Sequence, residues 1–501
     1  MATGGSRRSG LAVLGMSDTE AVRRTIAEYC QLYDERLFDE FEEIWTEDAT
    51  FRVHGRPGGA RGRKEIAAYL EGRGGTKRGP QPTLRSIHGN FNPIIDIAGD
   101  EADAWAEYVS YGERNGALSI GSGGRYHFRM VRDSDRWRIA DLETRLLSPN
   151  HVRSRAEGST WPMQAEQTSA QSRYVGGLRA APQELTDLEA VRRTLGEYCE
   201  LFDERLFDEF EQIWTDDATF RVQGREGGVQ GRKEIAAYLE KRGPKRGPQP
   251  TLNRMVHGMF TPVIDIDGDR AQVAADYLSF RMNNGVFEIN SGGSYRFQMV
   301  KEPDRWRIAD LETRLRSSEL ARPRPDGTPW PKQTSSPPAN EPLRTTPQRE
   351  LSDIEAVRRT VVEYSQARTD GRYKDFLDIW DENATFRVQG REQAIADRKN
   401  IGDFHIRRSG NDPLAAPTRS AGPGTFGPII DIDGDTAEVK ADYIAFGGDQ
   451  LPFRIISGGR HIFRMVKQPD RWRITEFEVR LIAPELVRSK QSNAPVWPGS
   501  A

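Results

Sequence analysis

The stretch SDTEAVRRTIAEYCQLYDERLFDEFEEIW, Ser17 to Trp45, decides the reading of this chain because close copies of it return twice. TDLEAVRRTLGEYCELFDERLFDEFEQIW runs from Thr186 to Trp214, and SDIEAVRRTVVEYSQARTDGRYKDFLDIW from Ser352 to Trp380. Each opens with Ser or Thr and places Glu three residues on (Ser17 and Glu20, Thr186 and Glu189, Ser352 and Glu355), the pattern of a helix start capped by its own side chains. In the first copy Val22, Ile26, Tyr29, Cys30 and Tyr33 recur at helical spacing and form one apolar stripe that must face a core. Asp34 stands four residues after Cys30, so an acid ends that stripe instead of lying on the wet face.

Working outward, the rest of the chain repeats with the helix. A chain of 501 residues is too long for one core and predicts roughly three domains. RWRI recurs at Trp137, Trp306 and Trp472, and His88 matches His257. Trp161-Pro162, Trp330-Pro331 and Trp497-Pro498 close the three copies. The expected organisation is a disordered leader at 1–15, units at 16–164, 183–331 and 349–501, and Gln-, Ser-, Thr- and Pro-rich linkers at 165–182 and 332–348. A period this long means tandem domains, each with its own core, not a solenoid.

Within unit 1 the helical pattern is expected to continue through Phe38, Phe41, Ile44 and Trp45, with ATFRV as the first strand. GRKEIAAYLEG reads as a short helix. SIHGNFNPIIDI and ADAWAEYVSYGE flank one turn, and GGRYHFRMVR and RWRIADLETRL flank another, which makes an antiparallel meander. Helices followed by a long meander is an α+β pattern, with the helices against one face of a curved sheet.

Composition excludes several partners. Charged residues make up 29% but the formal net charge is only −3, so neither nucleic acid nor an anionic membrane is favoured. No apolar run approaches the roughly 20 residues of a membrane span, and GLAVLGM is too short for a signal peptide, so a cytoplasmic protein is expected. Cys30 and Cys199 share one position on the buried stripe and read as small core residues, not as a disulfide or a metal pair. KRGPQPT, at 77–83 and 245–251, is a basic loop without interleaved aromatics, a solvated segment or an entrance flap.

EYCQLYDERLFDEF, IWTEDATF, IHGNFNPIIDIAGDEADAWAEY, GGRYHFRMVR and RWRIADLETR together resemble the SnoaL-like branch of the NTF2-like superfamily, and the resemblance covers all three units. It implies cone-shaped α+β domains. In the dehydratase branch it further implies that a Tyr and an Asp from the first helix meet a His from the first long strand. The matching residues are Tyr29, Asp34 and His88, and again Tyr198, Asp203 and His257, with Phe91 and Phe260 as competitors for the histidine position. Since relatives of this kind form trimers, three fused units are expected to make a pseudo-threefold trimer within a monomeric chain.

These residue types suit elimination of water beside a carbonyl, or ring closure through an enolate, without cofactor or metal. A His titrates near neutral pH, an Asp orients it, and a Tyr hydroxyl donates to a developing oxyanion. Supporting positions on the sheet are Glu107, Tyr108 and Arg145 in unit 1 and Asp276, Tyr277 and Arg314 in unit 2. The favoured function is a lyase or cyclase acting on a small, hydrophobic, oxygenated substrate. A filled cone would instead mean a non-catalytic ligand-binding or scaffold protein, and convergence of Asp34, Glu107 and Arg145 around a water would mean an epoxide hydrolase. Each residue also has a plain structural reading: a core tyrosine, a helix-ending aspartate, a satisfied strand histidine, ionic pairs on the sheet. His127, replaced by Arg296 and Ile462 in the other units, is expected at the surface. In unit 3, Thr369 takes the place of Asp34 and Pro423 that of His88, so both partners are lost together and unit 3 reads as a scaffold.

Overall fold

The computed structural model describes residues 17–54, 58–73, 86–114, 117–133, 136–146, 185–222, 228–242, 255–283, 286–315, 351–369, 372–389, 393–408, 424–447 and 454–482. The expected leader and linkers, the three tail tryptophans, both KRGPQPT loops and Pro423 lie outside these residues.

In unit 1, helix α1 (Asp18–Glu35) starts at Ser17, whose Oγ accepts the Glu20 N–H at 3.3 Å. It stops at Arg36, which adopts a left-handed conformation with φ 62° and donates its N–H to the carbonyls of Leu32 and Tyr33. There follow α2 (Phe38–Glu42), β1 (Trp45–Val53), β2 (Ala60–Arg61), α3 (Arg63–Arg73), β3 (Ser86–Ala98), β4 (Glu101–Arg114), β5 (Ala117–Asp133) and β6 (Arg136–Leu146). The helical pattern expected to run through Trp45 ends at Glu42, and Trp45 is the first residue of β1, opposite Ile139. Its indole lies edge-on to Tyr29 with ring centroids 6.0 Å apart, so packing against α1 overrides the local period.

The six strands form one sheet in the order β2-β1-β6-β5-β4-β3, with β1 parallel to β6 and the other neighbours antiparallel. Unit 2 repeats this as α4 (Asp187–Glu204), α5 (Phe207–Phe210), β7 (Trp214–Val222), β8 (Val229–Gln230), α6 (Arg232–Arg242), β9 (Met255–Met259), β10 (Val263–Asp267), β11 (Arg270–Asn283), β12 (Val286–Lys301) and β13 (Trp306–Leu315). Here β9 and β10 together take the place of β3. Unit 3 comprises α7 (Asp353–Thr369), α8 (Tyr373–Asp378), β14 (Trp380–Val388), β15 (Ile395–Ala396), α9 (Arg398–Arg408), β16 (Gly424–Asp433), β17 (Thr436–Gly447), β18 (Arg454–Lys467) and β19 (Trp472–Leu481). The RWRI tryptophan ties the last strand to the first helix in every unit: the indole N–H of Trp137 donates to Asp18 at 3.1 Å, Trp306 to Asp187 at 2.9 Å and Trp472 to Asp353 at 3.0 Å.

Each unit has its own apolar core between helices and sheet. A fourth cluster draws on all three and is centred on Phe91, Phe260 and Phe426, whose rings are 5.8, 5.1 and 6.0 Å apart pairwise. A glycine makes room for each of these rings. A Cβ at Gly89 would lie 2.7 Å from Phe426, at Gly258 3.1 Å from Phe91, and at Gly424 2.3 Å from Phe260. Above the rings the first helices exchange ions cyclically: Arg23 with Glu189, Arg192 with Glu355, and Arg358 with Glu20. A second cycle joins Arg24 to Asp431, Arg193 to Asp96 and Arg359 to Asp265. The units therefore contact one another in one repeating sense, each first helix lying on the sheet of the preceding unit.

Candidate functional site

Strand β3 alternates, so Ile87, Gly89 and Phe91 turn toward the shared cluster while His88 and Asn90 turn toward α1. This decides the competition between His88 and Phe91. Asp34, at the last turn of α1, accepts the His88 backbone N–H on Oδ2 at 2.8 Å and holds Nδ1 with Oδ1 at 2.6 Å. The carboxylate is completely enclosed, whereas 20% of the imidazole remains exposed. Unit 2 repeats the arrangement: Asp203 Oδ2 accepts the His257 N–H at 2.7 Å, and Oδ1 lies 2.5 Å from Nδ1. An aromatic ring edges each imidazole at 4.9 Å, Tyr33 in unit 1 and Phe202 in unit 2. Burial pushes the His257 imidazole down, to about 4, and pushes the Asp203 carboxyl up. In both pairs Nδ1 is committed to the carboxylate, which leaves Nε2 as the nitrogen able to take a proton from a substrate.

Tyr29 lies deeper. Its ring is packed among Phe41, Trp45, Tyr126 and Phe128, and among the described residues no hydrogen bond joins it to Asp34 or His88. Tyr198 occupies the same place against Phe210, Trp214, Tyr295 and Phe297 and shares a hydrogen bond with Tyr295. Burial raises both hydroxyls well above the usual phenol range, so each remains a donor. Tyr108 stacks on Tyr126 at 4.1 Å and Tyr277 on Tyr295 at 4.0 Å, extending the tyrosine cluster inside each cone. The indole N–H groups of Trp45, Trp214 and Trp380 are buried beside these clusters and have no hydrogen-bond partner among the described residues. Tyr126 and Tyr295 were not proposed as site residues from sequence, although their alternation with outward-facing residues of the same strands was visible there.

The structure corrects the expectations for Glu107 and for His127, and gives Arg145 and Arg314 their plain structural reading as ionic pairs. Glu107 is on the opposite face of β4 from Tyr108 and does not serve its own unit: it hydrogen-bonds Asp203 of unit 2. Asp276 is buried at the equivalent strand position of unit 2. Arg145 and Arg314 bond Glu143 and Glu312, two residues away on their own strands, at 2.5 and 2.8 Å. Asp34, Glu107 and Arg145 are thus directed to three different places and do not converge as the epoxide hydrolase alternative expected of them. His127 is buried, not superficial: it stacks on Trp105 with centroids 4.8 Å apart, and its Nε2 lies 3.1 Å from Asp103.

In unit 3 the strand register puts Gly424 opposite Ile444 as Gly89 is opposite Val109 in unit 1. Ser365 and Thr425 share a hydrogen bond of 2.9 Å where Cys30 and Asn90 meet in unit 1. His461 stacks on Tyr443 at 4.0 Å in the place of Tyr126, and burial holds it well below the usual imidazole range.

Three helix-and-sheet cones in tandem, two of them holding a histidine gripped by a buried carboxylate, define the class: a tandem α+β protein of the NTF2-like type. The model of the SnoaL-like domain matches residues 15–143, 183–312 and 349–478, and the chain belongs to that family. Among solved structures it is similar to an NTF2-like protein with a cystatin-like fold from Novosphingobium aromaticivorans, at 21% identity over 32% of this chain and 96% of that one, with a TM-score of 0.24. It is also similar to a candidate scytalone dehydratase from the same organism, at 25% identity over 30% of this chain and 95% of that one, with a TM-score of 0.24. Among the described residues no helix is long and apolar enough to cross a membrane.

Proposed function

We propose that this protein is a lyase or cyclase that needs no cofactor, with His88 and His257 as bases acting on a small, hydrophobic, oxygenated substrate. The observation that carries the reading is the duplicated pair: Asp34 and Asp203 each hold a histidine by backbone and by Nδ1, and unit 3 lacks both members at once. Nε2 removes a proton beside a carbonyl, and the carboxylate orients the ring and stabilises the imidazolium that forms. Tyr29 and Tyr198, with the neighbouring Tyr126 and Tyr295, supply un-ionised hydroxyls that donate to the enolate oxygen in a dry interior. The same units hold one another as a pseudo-threefold trimer inside a single chain, so the working form is a monomer. Unit 3 acts as its scaffold.

The scaffold alternative rests on the close aromatic packing around Tyr29. The two readings separate on turnover. The wild-type protein is incubated with a panel of cyclic β-hydroxy ketones, and loss of water is followed by mass spectrometry. The His88→Ala, His257→Ala double variant is expected to lose turnover by about 100-fold to 10,000-fold with its thermal unfolding preserved. Wild-type turnover in that variant removes both histidines from the mechanism.

A further inference from the structure

The two histidine–carboxylate pairs lie where one unit meets the preceding one, and each is faced from across that boundary by an acid and an arginine. For the pair of unit 2 these come from unit 1. Glu107 hydrogen-bonds Asp203, and Arg125 reaches Glu200 at 3.0 Å and Glu204 at 3.4 Å on the same helix turn, with Glu107 itself at 3.6 Å. For the pair of unit 1 they come from unit 3. Arg460 donates through Nε to Asp442 at 2.7 Å and bonds Glu35, the residue after Asp34, and the charge of Asp34 is felt by both Asp442 and Arg460. Arg460 is fully enclosed, and one of its guanidinium nitrogens, Nη2, has no partner among the described residues.

The third boundary is informative because it differs. The strand position of Arg125 and Arg460 carries Ser294 in unit 2, opposite Asp276 in the β11–β12 ladder as Arg125 is opposite Glu107 and Arg460 opposite Asp442. Unit 2 presents this face to unit 3, as Arg359 on Asp265 and Gln366 Nε2 on the Ala274 carbonyl at 3.2 Å show. Unit 3 is the unit with Thr369 and Pro423 in place of aspartate and histidine. The arginine therefore follows the state of the next unit's pair, not of its own: units 1 and 3 keep it and face a complete pair, while unit 2 has a complete pair of its own yet has lost it. A residue that merely served its own cone would show the opposite distribution, present in units 1 and 2.

We propose that each pair is a composite site, completed across the boundary by positioning residues of the preceding unit: Glu107 and Arg125 for Asp203 and His257, and Asp442 and Arg460 for Asp34 and His88. The role in catalysis rests on the reading of the histidines as bases. The cation opposes burial and favours the ionised form of the enclosed carboxylates, and an acid that stays protonated beside Asp203 donates to it, which favours the aspartate as an acceptor for Nδ1. Burial, then the charge of Asp203, raises the Glu107 carboxyl well above the ordinary range, consistent with that donor role. Fusion of the units fixes which arginine meets which pair, and this permits one boundary to discard its arginine without affecting the other two.

The test reads the histidines directly and needs no substrate. The chain has seven histidines, so imidazole carbon-labelled NMR signals are assignable by single substitution, and each is titrated in the full-length protein. Arg125→Ser installs the residue unit 2 carries at this position. Removing the cation favours protons on the pair it faces, so the His257 transition is expected to move up by about one pH unit while His88 stays in place. Arg460→Ser is expected to change the His88 imidazole signals and to leave those of His257 in place. Arg125→Lys, which keeps the charge and spares the fold, is expected to restore the wild-type His257 transition. If each arginine moves the histidine of its own unit, or neither histidine moves, the composite site is overturned. The double histidine variant decides the lyase reading separately, so the two fail on different measurements.

Discussion

Asp203 holds His257 at two points, its Oδ2 accepting the backbone N–H at 2.7 Å and its Oδ1 meeting Nδ1 at 2.5 Å. One carboxylate thereby sets both the position of the strand and the tautomer of the ring. An Asp203→Asn, Asp34→Asn double variant keeps the size of both side chains but presents an amide donor to one of these groups. Turnover is expected to fall by about 100-fold or more, with the histidines still present and the melting temperature lowered by the loss of two enclosed hydrogen bonds, about 1–3 kcal/mol each. Steady-state rates and thermal melts on the same samples check this.

The ion ring on the first helices sets an acid limit. Burial alone would raise the Glu355 carboxyl, but the charges of Arg358 and Arg192 reverse that and hold it at about 2, below the ordinary 4.5. A depressed carboxyl contributes stability that is complete above the unfolded value and is lost as pH falls through the folded one. The contact between units is therefore expected to weaken between pH 4.5 and about 2, read as a falling unfolding temperature. An Arg358→Met variant, which leaves Glu20 and Glu355 without this partner, is expected to be less stable at pH 7 by about 3 kcal/mol, and its acid limit should move upward.

The glycines that receive the central phenylalanines are expected to differ in tolerance. Gly424→Ala places a methyl 2.3 Å from Phe260, whereas Gly258→Ala places one 3.1 Å from Phe91. The first is expected to cost about 1–3 kcal/mol, the second clearly less, because the ring nearest Gly258 needs only a small displacement. Chemical denaturation of both variants ranks them.

Cys30 and Cys199 are expected to be inert in the native state. Each is 1% exposed, and burial raises both thiols well above their ordinary range, so the thiolate that reacts is scarce and unreachable. A thiol reagent should titrate neither in the folded protein and both after denaturation.

The capped helix, its buried stripe and the meander were legible in the chain because helix caps and strand alternation are local signals, and a threefold repeat states each of them three times. The pairing of Asp34 with His88 came from what the family resemblance implies, supported by the position of Asp34 at the end of the apolar stripe and by the shared absence in unit 3. Local signals misled where the deciding contact was distant. Trp45 joins a strand because of Tyr29, His127 is covered by Trp105, and Glu107 faces away from the cone it belongs to.

By itself the sequence determined that there are three similar α+β units, that two of them retain an aspartate and a histidine in matching places, and that the third has lost both. Only the tertiary structure decided that His88, not Phe91, meets the aspartate, and that the acid and arginine beside each pair belong to the preceding unit. The physical reason is that neighbouring strand residues point to opposite faces. Whether a side chain such as Glu107 enters its own cone or reaches the next unit depends on register and on how the units are set against one another, and neither is encoded in local spacing.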